Sequence, residues 1–166
     1  MNKHNKKFRQ RITIKLKPLL KEWMLCKIND YAVSSEKNEI LRILAPYISY
    51  APKNYVFKKL EGHEYLTIEL PYKFFHFDMQ KTLYVSEINQ SEFNKTLYLM
   101  FRNRFWDYCE EKIKNGSQIK KTILKFCIDN NIAFESINYE ALKKDLYRKR
   151  KNKNMNRKLS LKCPKF

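Results

Sequence analysis

The first regular pattern of polar and apolar positions lies at residues 11–16. These residues alternate between the two classes and include β-branched side chains, which predicts a short, half-buried β-strand. Pro18 then suits the first turn of a helix, because the N–H that proline lacks would have no helical partner there. The apolar spacing after it predicts a helix over 19–29.

A second helix is predicted after Ser34 and Ser35, which are good N-cap residues. Pro46 must kink this helix or end it early, because its ring clashes with the preceding turn. The apolar residues that follow helical spacing in this segment are Ile40, Ile43, Leu44, Tyr47 and Ile48.

The next part of the chain has shorter patterns typical of strands. Residues 64–70 alternate polar and apolar side chains, and Pro71 ends the run. Weaker strand candidates lie at 73–79 and 82–85. Together with the first strand, these segments predict a small antiparallel sheet.

After these segments the pattern is helical as far as about residue 151. The apolar spacing predicts a long helix over 87–115 and a second helix over 118–130. Gly116 suits the left-handed position that ends the first helix, and Ser117 is a good N-cap for the second. A third helix is predicted over 139–151.

The third predicted helix combines a narrow apolar stripe with a broad cationic surface. Tyr139, Leu142 and Leu146 form the stripe. Asp145 is the only acid available to pair with the cations of this helix. A helix of this kind can enter a major groove or lie along phosphates. The residues that cover its cationic surface are Lys143, Lys144, Tyr147, Arg148, Lys149, Arg150 and Lys151.

The charge of the chain adds to this picture, because the net charge of +18 is concentrated at the two ends. Residues 1–21 carry eight Lys/Arg and no acid, and residues 141–166 carry eleven Lys/Arg against one Asp. The middle, 22–140, is neutral, with sixteen residues of each sign. A neutral body with two basic ends favours a polyanionic partner, above all nucleic acid.

The segment 118–151 resembles a helix-turn-helix. Its first helix ends at Asn130, Asn131 stands where the usual motif has a glycine, and its turn is longer than usual. The whole chain also resembles small basic DNA-binding proteins of bacterial phages and mobile elements. The resemblance implies that Tyr139, Lys143, Lys144 and Tyr147 face base edges, and that Arg148, Arg150 and Lys151 contact phosphates.

Two basic segments outside the third helix extend the predicted interface. The N-terminal arm can follow a phosphate backbone or enter a minor groove, or it can be a solubilising tail. The cations of the arm and of the C-terminal tail are Lys3, Lys6, Lys7, Arg9, Arg11, Lys153, Arg157 and Lys158. An alternative for residues 11–29 is a ribbon-helix-helix-like unit, in which paired strands from two subunits enter the major groove.

Patterns for catalysis and for metal binding find little support. With only two glycines, at 62 and 116, the chain cannot form a glycine-rich phosphate loop. The three histidines lack ligand spacing, so no metal or cofactor is expected. Asp78 and the Glu-Glu-Lys run at 110–112 supply the residue types of a metal-dependent nuclease, but that chemistry normally uses a strand. We therefore expect no enzymatic activity.

The expected location is the cytoplasm of a bacterial host cell, with association with a virion as an alternative. The four cysteines are far apart with no CxxC motif, which is typical of reduced core residues. The first twenty residues lack the apolar region of a secretion signal, and no apolar stretch is long enough to span a membrane.

These patterns predict an α+β, predominantly helical fold, with a small antiparallel sheet and a helical C-terminal half. We expect a basic arm over 1–10, one globular domain over 11–151 and a basic tail over 152–166 that is disordered without a partner. Within the domain, 11–85 mixes strands and helices and 86–151 is helical.

The predicted function is non-catalytic binding of nucleic acid, with DNA favoured over RNA, by a regulator or architectural protein. A structural or interaction protein (a virion, cargo or adaptor component) and an RNA-binding protein are the alternatives. The sequence does not decide whether the chain forms a homodimer. It also leaves open the role of the aromatic run Phe74, Phe75 and Phe77, which suits a core, an interface or a base-stacking sheet face.

Overall fold

The structure, a computed structural model, describes residues 10–30, 39–56, 64–70, 78, 81–133 and 136–160. Within these ranges only the backbone is described at 27–30, 39, 136–138 and 153–160. The chain divides into two compact units, unit 1 over 1–100 and unit 2 over 101–166. One long helix contributes its first part to unit 1 and its second part to unit 2.

The described residues of unit 1 form four short strands and two shorter α-helices, followed by the start of the long helix. In chain order the elements are β1 (Arg11–Lys15), α1 (Pro18–Asp30), α2 (Glu39–Leu44), β2 (Ile48–Tyr50), β3 (Tyr65–Glu69), β4 (Leu83–Val85) and α3 (Glu87–Lys114).

The strands of unit 1 form two antiparallel pairs. β1 pairs with β3, so that Arg11 lies opposite Glu69 and Lys15 lies opposite Tyr65. β2 pairs with β4, with Ile48 opposite Val85. Alternation places Ile12, Ile14, Leu66 and Ile68 on the buried face of the first pair, and these pack in one core with Leu20, Trp23, Met24, Leu44, Phe93 and Leu97.

All the regular elements in the described residues of unit 2 are helices. It contains the second part of α3, α4 (Ile119–Asp129) and α5 (Ser136–Ser160). Phe126 of α4 meets the rings of Phe101, Phe105 and Tyr108 of α3 at centroid distances of 5.9, 5.1 and 5.3 Å. Burial of such large aromatic side chains makes this cluster the core of the unit.

Both turns of unit 2 end a helix with a residue in the left-handed conformation. Gly116 has φ +87°, and the N–H of Ser117 donates to the Lys112 carbonyl at 3.0 Å. Asn131 has φ +49°, and the N–H of Ile132 donates to the Cys127 carbonyl at 2.9 Å. In both turns these bonds satisfy carbonyls that the end of the helix would leave unpaired.

The predicted fold class is confirmed: the chain is α+β and predominantly helical. α1, α3, α4, β1 and β3 lie where the patterns predicted them, and β4 coincides with the weaker candidate at 82–85. Among the described residues the strands form two small sheets where one was predicted. Cys26, Cys109 and Cys127 are buried free thiols, as expected.

The second helix ends early, before Pro46, as predicted, but the helical spacing that included Tyr47 and Ile48 was wrong for these two residues. α2 ends at Leu44, a 3₁₀ turn covers 45–47, and Ile48 begins β2 with extended backbone at φ −85° and ψ 136°. Pro46 explains the early end, because it cannot donate the helical hydrogen bond. Ile48 is buried as predicted, but it is buried in a strand.

The predicted cap of α4 was also wrong. Gln118, in extended conformation, precedes the helix, and no side-chain hydrogen bond caps it. The backbone of Ser117 is instead part of the turn that closes α3.

The third predicted helix is longer than expected, since α5 runs from Ser136 to Ser160. The expectation of a disordered tail was therefore wrong for residues 152–160, whose backbone is helical. Lys, Asn, Arg, Met and Leu follow one another there without a glycine or proline, so nothing in the sequence ends the helix.

The strand pairing does not favour the ribbon-helix-helix alternative for residues 11–29, which stays a prediction. That motif needs β1 to pair with the same strand of a second subunit, whereas β1 pairs along its length with β3 of its own chain.

Several predicted features lie outside the described residues. These are the cap candidates Ser34 and Ser35, most of the strand candidate at 73–79 with Phe74, Phe75 and Phe77, the arm before Gln10, and the tail after Ser160. A single domain over 11–151 stays a prediction. No helix in the described ranges is both long and apolar enough to cross a membrane.

Replacing Gly116 with Ala should lower the free energy of unfolding by about 1 kcal/mol, because an L side chain disfavours the left-handed conformation. No atom lies within 4 Å of the position of the added Cβ, so backbone strain is the whole effect. Urea unfolding measures it. Gly116→Asn is the control, and it should cost less because Asn tolerates this conformation. Equal losses for the two variants would contradict the account.

Candidate nucleic-acid interface

The third predicted helix, α5, is held to unit 2 by one apolar stripe. Leu142 and Leu146 are one turn apart and are 3% and 1% exposed. Burial of each leucine contributes roughly 2 kcal/mol of hydrophobic stabilisation. The stripe therefore determines which side of α5 faces the core, as the sequence predicted.

The opposite side of α5 is an exposed cationic surface, which we call the outer face. It consists of four exposed residues whose side chains form no hydrogen bond or ion pair with another described residue: Lys144, Tyr147, Arg148 and Lys151. Arg150 is also exposed, but it follows Leu146 at i+4 and so lies in line with the apolar stripe, beyond its last buried residue. Lys144, Arg148 and Lys151 follow the i, i+4, i+7 spacing that places them in one row. Tyr147, half exposed, lies beside this row.

Two other cations near α5 are used within the protein. The guanidinium of Arg102, on α3, donates to Asp145 of α5 at 3.0 Å from Nε and 2.7 Å from Nη2. Arg102 also lies 4.3 Å from the centre of the Trp106 ring, and the Lys149 ammonium lies 4.3 Å from the same ring. These contacts tie α5 to α3, so Lys149 has a structural role as well as a charge.

Lys143 is also partly neutralised. Its ammonium lies 3.4 Å from Glu140 and 5.6 Å from the ring of Tyr139, which is itself half-buried. The expectation that only Asp145 offsets the cations of this helix was therefore wrong, because Glu140 lies at the i−3 position. Of the four residues expected to face base edges, only Lys144 and Tyr147 belong to the outer face.

A second group of cations in unit 2 was missed by the sequence reasoning. Lys120, Lys121 and Lys125 of α4 are exposed, while Ile123 and Phe126 on the same helix are buried. The helical spacing of the apolar residues could have identified these lysines as outward-facing. The sequence reasoning missed them because it counted charge over residues 22–140, which are neutral as a whole. Counted over unit 2 alone, residues 101–166 contain 18 Lys/Arg against 7 Asp/Glu.

The remaining predicted site residues lie in unit 1, at positions of α5 whose side chains are not described, or outside the described residues. Arg11 lies in unit 1, where its guanidinium pairs with Glu69 across the β1–β3 ladder at 2.5 Å. Lys153, Arg157 and Lys158 lie on the helical backbone of α5, and their side chains are not described. Lys3, Lys6, Lys7 and Arg9 lie outside the described residues.

The residues considered for catalysis are in ordinary structural environments. Residues 110–112 lie on α3, where Lys112 is 3.5 Å from Glu111. Burial raises the pKa of the Cys109 thiol to about 12, so it is not a nucleophilic thiolate at neutral pH. Within the described ranges no group of His, Cys, Asp and Glu could hold a metal ion.

The ion pair between Arg102 and Asp145 should stabilise the fold more than an exposed pair does. Both side chains are partly buried, at 27% and 13% exposed, and are joined by two hydrogen bonds. A double-mutant cycle with Arg102→Ala and Asp145→Ala should give a coupling energy of about 1–2 kcal/mol in urea unfolding.

The matched control for this cycle is the ion pair of Lys95 and Glu92. The Lys95 side chain is 67% exposed and the Glu92 side chain is 52% exposed. The coupling energy of this pair should be about 0.5 kcal/mol or less. If the two cycles gave the same coupling energy, the Arg102 pair would not fix α5 in place.

Comparison with known proteins identifies no relative. No family model, curated protein or solved structure matches this chain. The case for a function therefore rests on the geometry and charge of the chain itself.

Proposed function

We propose that this chain is a non-catalytic DNA-binding protein that uses the outer face of α5. The observation that carries the proposal is the separation of charges on this helix. The acids near α5, Glu140 and Asp145, are paired with Lys143 and Arg102, whereas the outer face has no acidic partner among the described residues. A surface of uncompensated cations held on a packed helix suits a polyanion.

The length of α5 suits contact with a duplex. Its 25 residues extend for roughly 37 Å, which is about one helical turn of B-DNA. The outer face begins near the packed end of this helix, and Lys153, Arg157 and Lys158 continue the basic sequence toward Ser160. Neutralisation of phosphates by these residues would release counterions, which is the main source of affinity for such surfaces.

Duplex DNA suits the outer face better than duplex RNA does. The major groove of B-DNA is wide enough to admit a helix, whereas the major groove of A-form RNA is deep and narrow. Tyr147 and Lys144 are the exposed side chains closest to the start of the outer face and suit contacts to base edges. Arg148, Arg150 and Lys151 suit phosphates.

The lysines of α4 add a second row of cations on the same unit. Lys120, Lys121 and Lys125 are exposed on a helix whose inner side packs through Phe126. They suit phosphate contacts, which position a protein without specifying sequence. The proposed role is that of a regulator or architectural protein in the cytoplasm of a bacterial host.

The affinity for duplex DNA should fall steeply with salt, and this dependence should come from α5. A variant with Lys144→Ala, Arg148→Ala and Lys151→Ala should bind more weakly. The slope of log K against log salt should become shallower by about 2.7, which corresponds to three lost phosphate contacts. Fluorescence anisotropy with a labelled duplex between about 50 and 200 mM salt measures both effects.

A control variant removes the same charge from exposed positions of unit 1, with Lys17→Ala, Arg42→Ala and Lys53→Ala. It should keep the wild-type slope. Equal losses in the two variants would show that only net charge matters, and would remove α5 from the interface. Competition by duplex RNA or single-stranded RNA that exceeds competition by duplex DNA would favour an RNA-binding protein instead.

A further inference from the structure

Unit 1 contains an open groove of about 550 Å³ that has no part in the proposed duplex interface. Its floor includes the exposed side of β1, with Arg11, Thr13 and Lys15. Tyr65 of β3 extends this floor, and Tyr84 of β4 stands beside it with Ser86 and Glu87. The groove is therefore lined by aromatic, hydroxyl and charged side chains together with the aliphatic side chains of Ile12, Val56, Leu83 and Val85.

Three tyrosines give the groove its chemical character. The rings of Tyr55 and Tyr84 lie 4.7 Å apart at an angle of 49°, and Tyr55 is 38% exposed. Tyr65 is half-buried, and the Lys15 ammonium lies 5.8 Å from its ring. Aromatic rings that are fixed by packing but open to solvent provide flat surfaces for ligand rings.

The exposed side of β1 supplies polar groups next to these rings. Thr13 shares a hydrogen bond of 2.9 Å with Thr67, Arg11 pairs with Glu69, and Lys15 lies 3.1 Å from Glu64. The side chains of both ion pairs are at least 42% exposed, so each pair is weak and open to exchange with another anion. The strand thus presents two positioned cations that a phosphate can approach.

We infer that this groove binds the bases of a single-stranded nucleic acid, with Tyr55, Tyr65 and Tyr84 as stacking surfaces and Arg11 and Lys15 as phosphate contacts. Stacking platforms beside cations are the usual means by which proteins hold single strands. In the sequence, the four cations of residues 3–9 come directly before Gln10 and β1.

A peptide is the less suitable occupant. Addition of a peptide strand needs a free strand edge, and β1 uses one of its two edges to pair with β3. At its N-terminal end Gln10 also donates to the Lys81 carbonyl at 2.6 Å, next to β4. The tyrosine rings next to Arg11 and Lys15 make a ring-bearing anion the best match.

The test measures binding of the full chain to a labelled oligothymidine of about eight nucleotides, and in a second arm to the matching oligouridine. Tyr55→Ala should weaken binding at least about fivefold, the smallest loss expected when one stacking ring is removed. Tyr55→Phe, which keeps the ring, should bind like the wild type. Tyr98→Ala removes a tyrosine of equal exposure from α3, outside the groove, and should have no effect.

Cross-linking gives a second readout that does not depend on the stability of a variant. An oligomer that contains 5-iodouracil should cross-link to Tyr55, Tyr65 or Tyr84 of the wild-type chain under ultraviolet light. The variant with Lys144→Ala, Arg148→Ala and Lys151→Ala should keep these cross-links. Its binding of the single strand should still depend on Tyr55, since this inference does not rest on the duplex interface.

Unchanged affinity of Tyr55→Ala would overturn the inference, and so would cross-links confined to α4 and α5. In either case the duplex proposal would remain as it stands. A loss of duplex binding in the α5 variant that left Tyr55-dependent binding of the single strand intact would support both sites as separate surfaces.

Discussion

Packing around Phe126 is the constraint on which unit 2 depends. This ring is in contact with three aromatic rings of α3, and it lies on the same helix face as Ile123 and Cys127, which are also buried. With its inner face committed to this cluster, α4 must turn its lysines outward. The left-handed turn at Asn131 follows within the same stretch and directs the chain toward α5.

Some cations on or near α5 contact an acid or an aromatic ring of the protein, and the others do not. Arg102 and Lys149 meet at Trp106, and Asp145 completes the contact, so two cations and one acid contribute to the structure. The outer face is what remains after these pairings. Residues of α3 that are distant in sequence, Arg102 and Trp106, therefore help to determine which cations of α5 stay without a partner among the described residues.

Local patterns predicted most of the elements, and the failures have physical reasons. α1, α3 and α4 were predictable because their apolar residues have long, regular spacing, and Gly116 and Asn131 were identified as left-handed candidates from residue type alone. β2 was not predictable, because a three-residue strand exists only through its pairing with β4. The contact of Arg102 with Asp145 joins residues 43 positions apart, and no spacing rule reveals it.

The single row of Lys144, Arg148 and Lys151 also affects the helix that carries it. Like charges at these spacings repel one another, so the chain gives up helix stability to keep this surface cationic. A polyanion that binds the row reduces the repulsion, and it stabilises the fold to the extent that it binds the folded chain more tightly than the unfolded chain. Lys151, at the end of the row, lies beyond Leu146, the last buried residue of the apolar stripe, so less packing offsets the repulsion there. The helicity of this end of the row and its occupancy by an anion are therefore thermodynamically linked, so each strengthens the other.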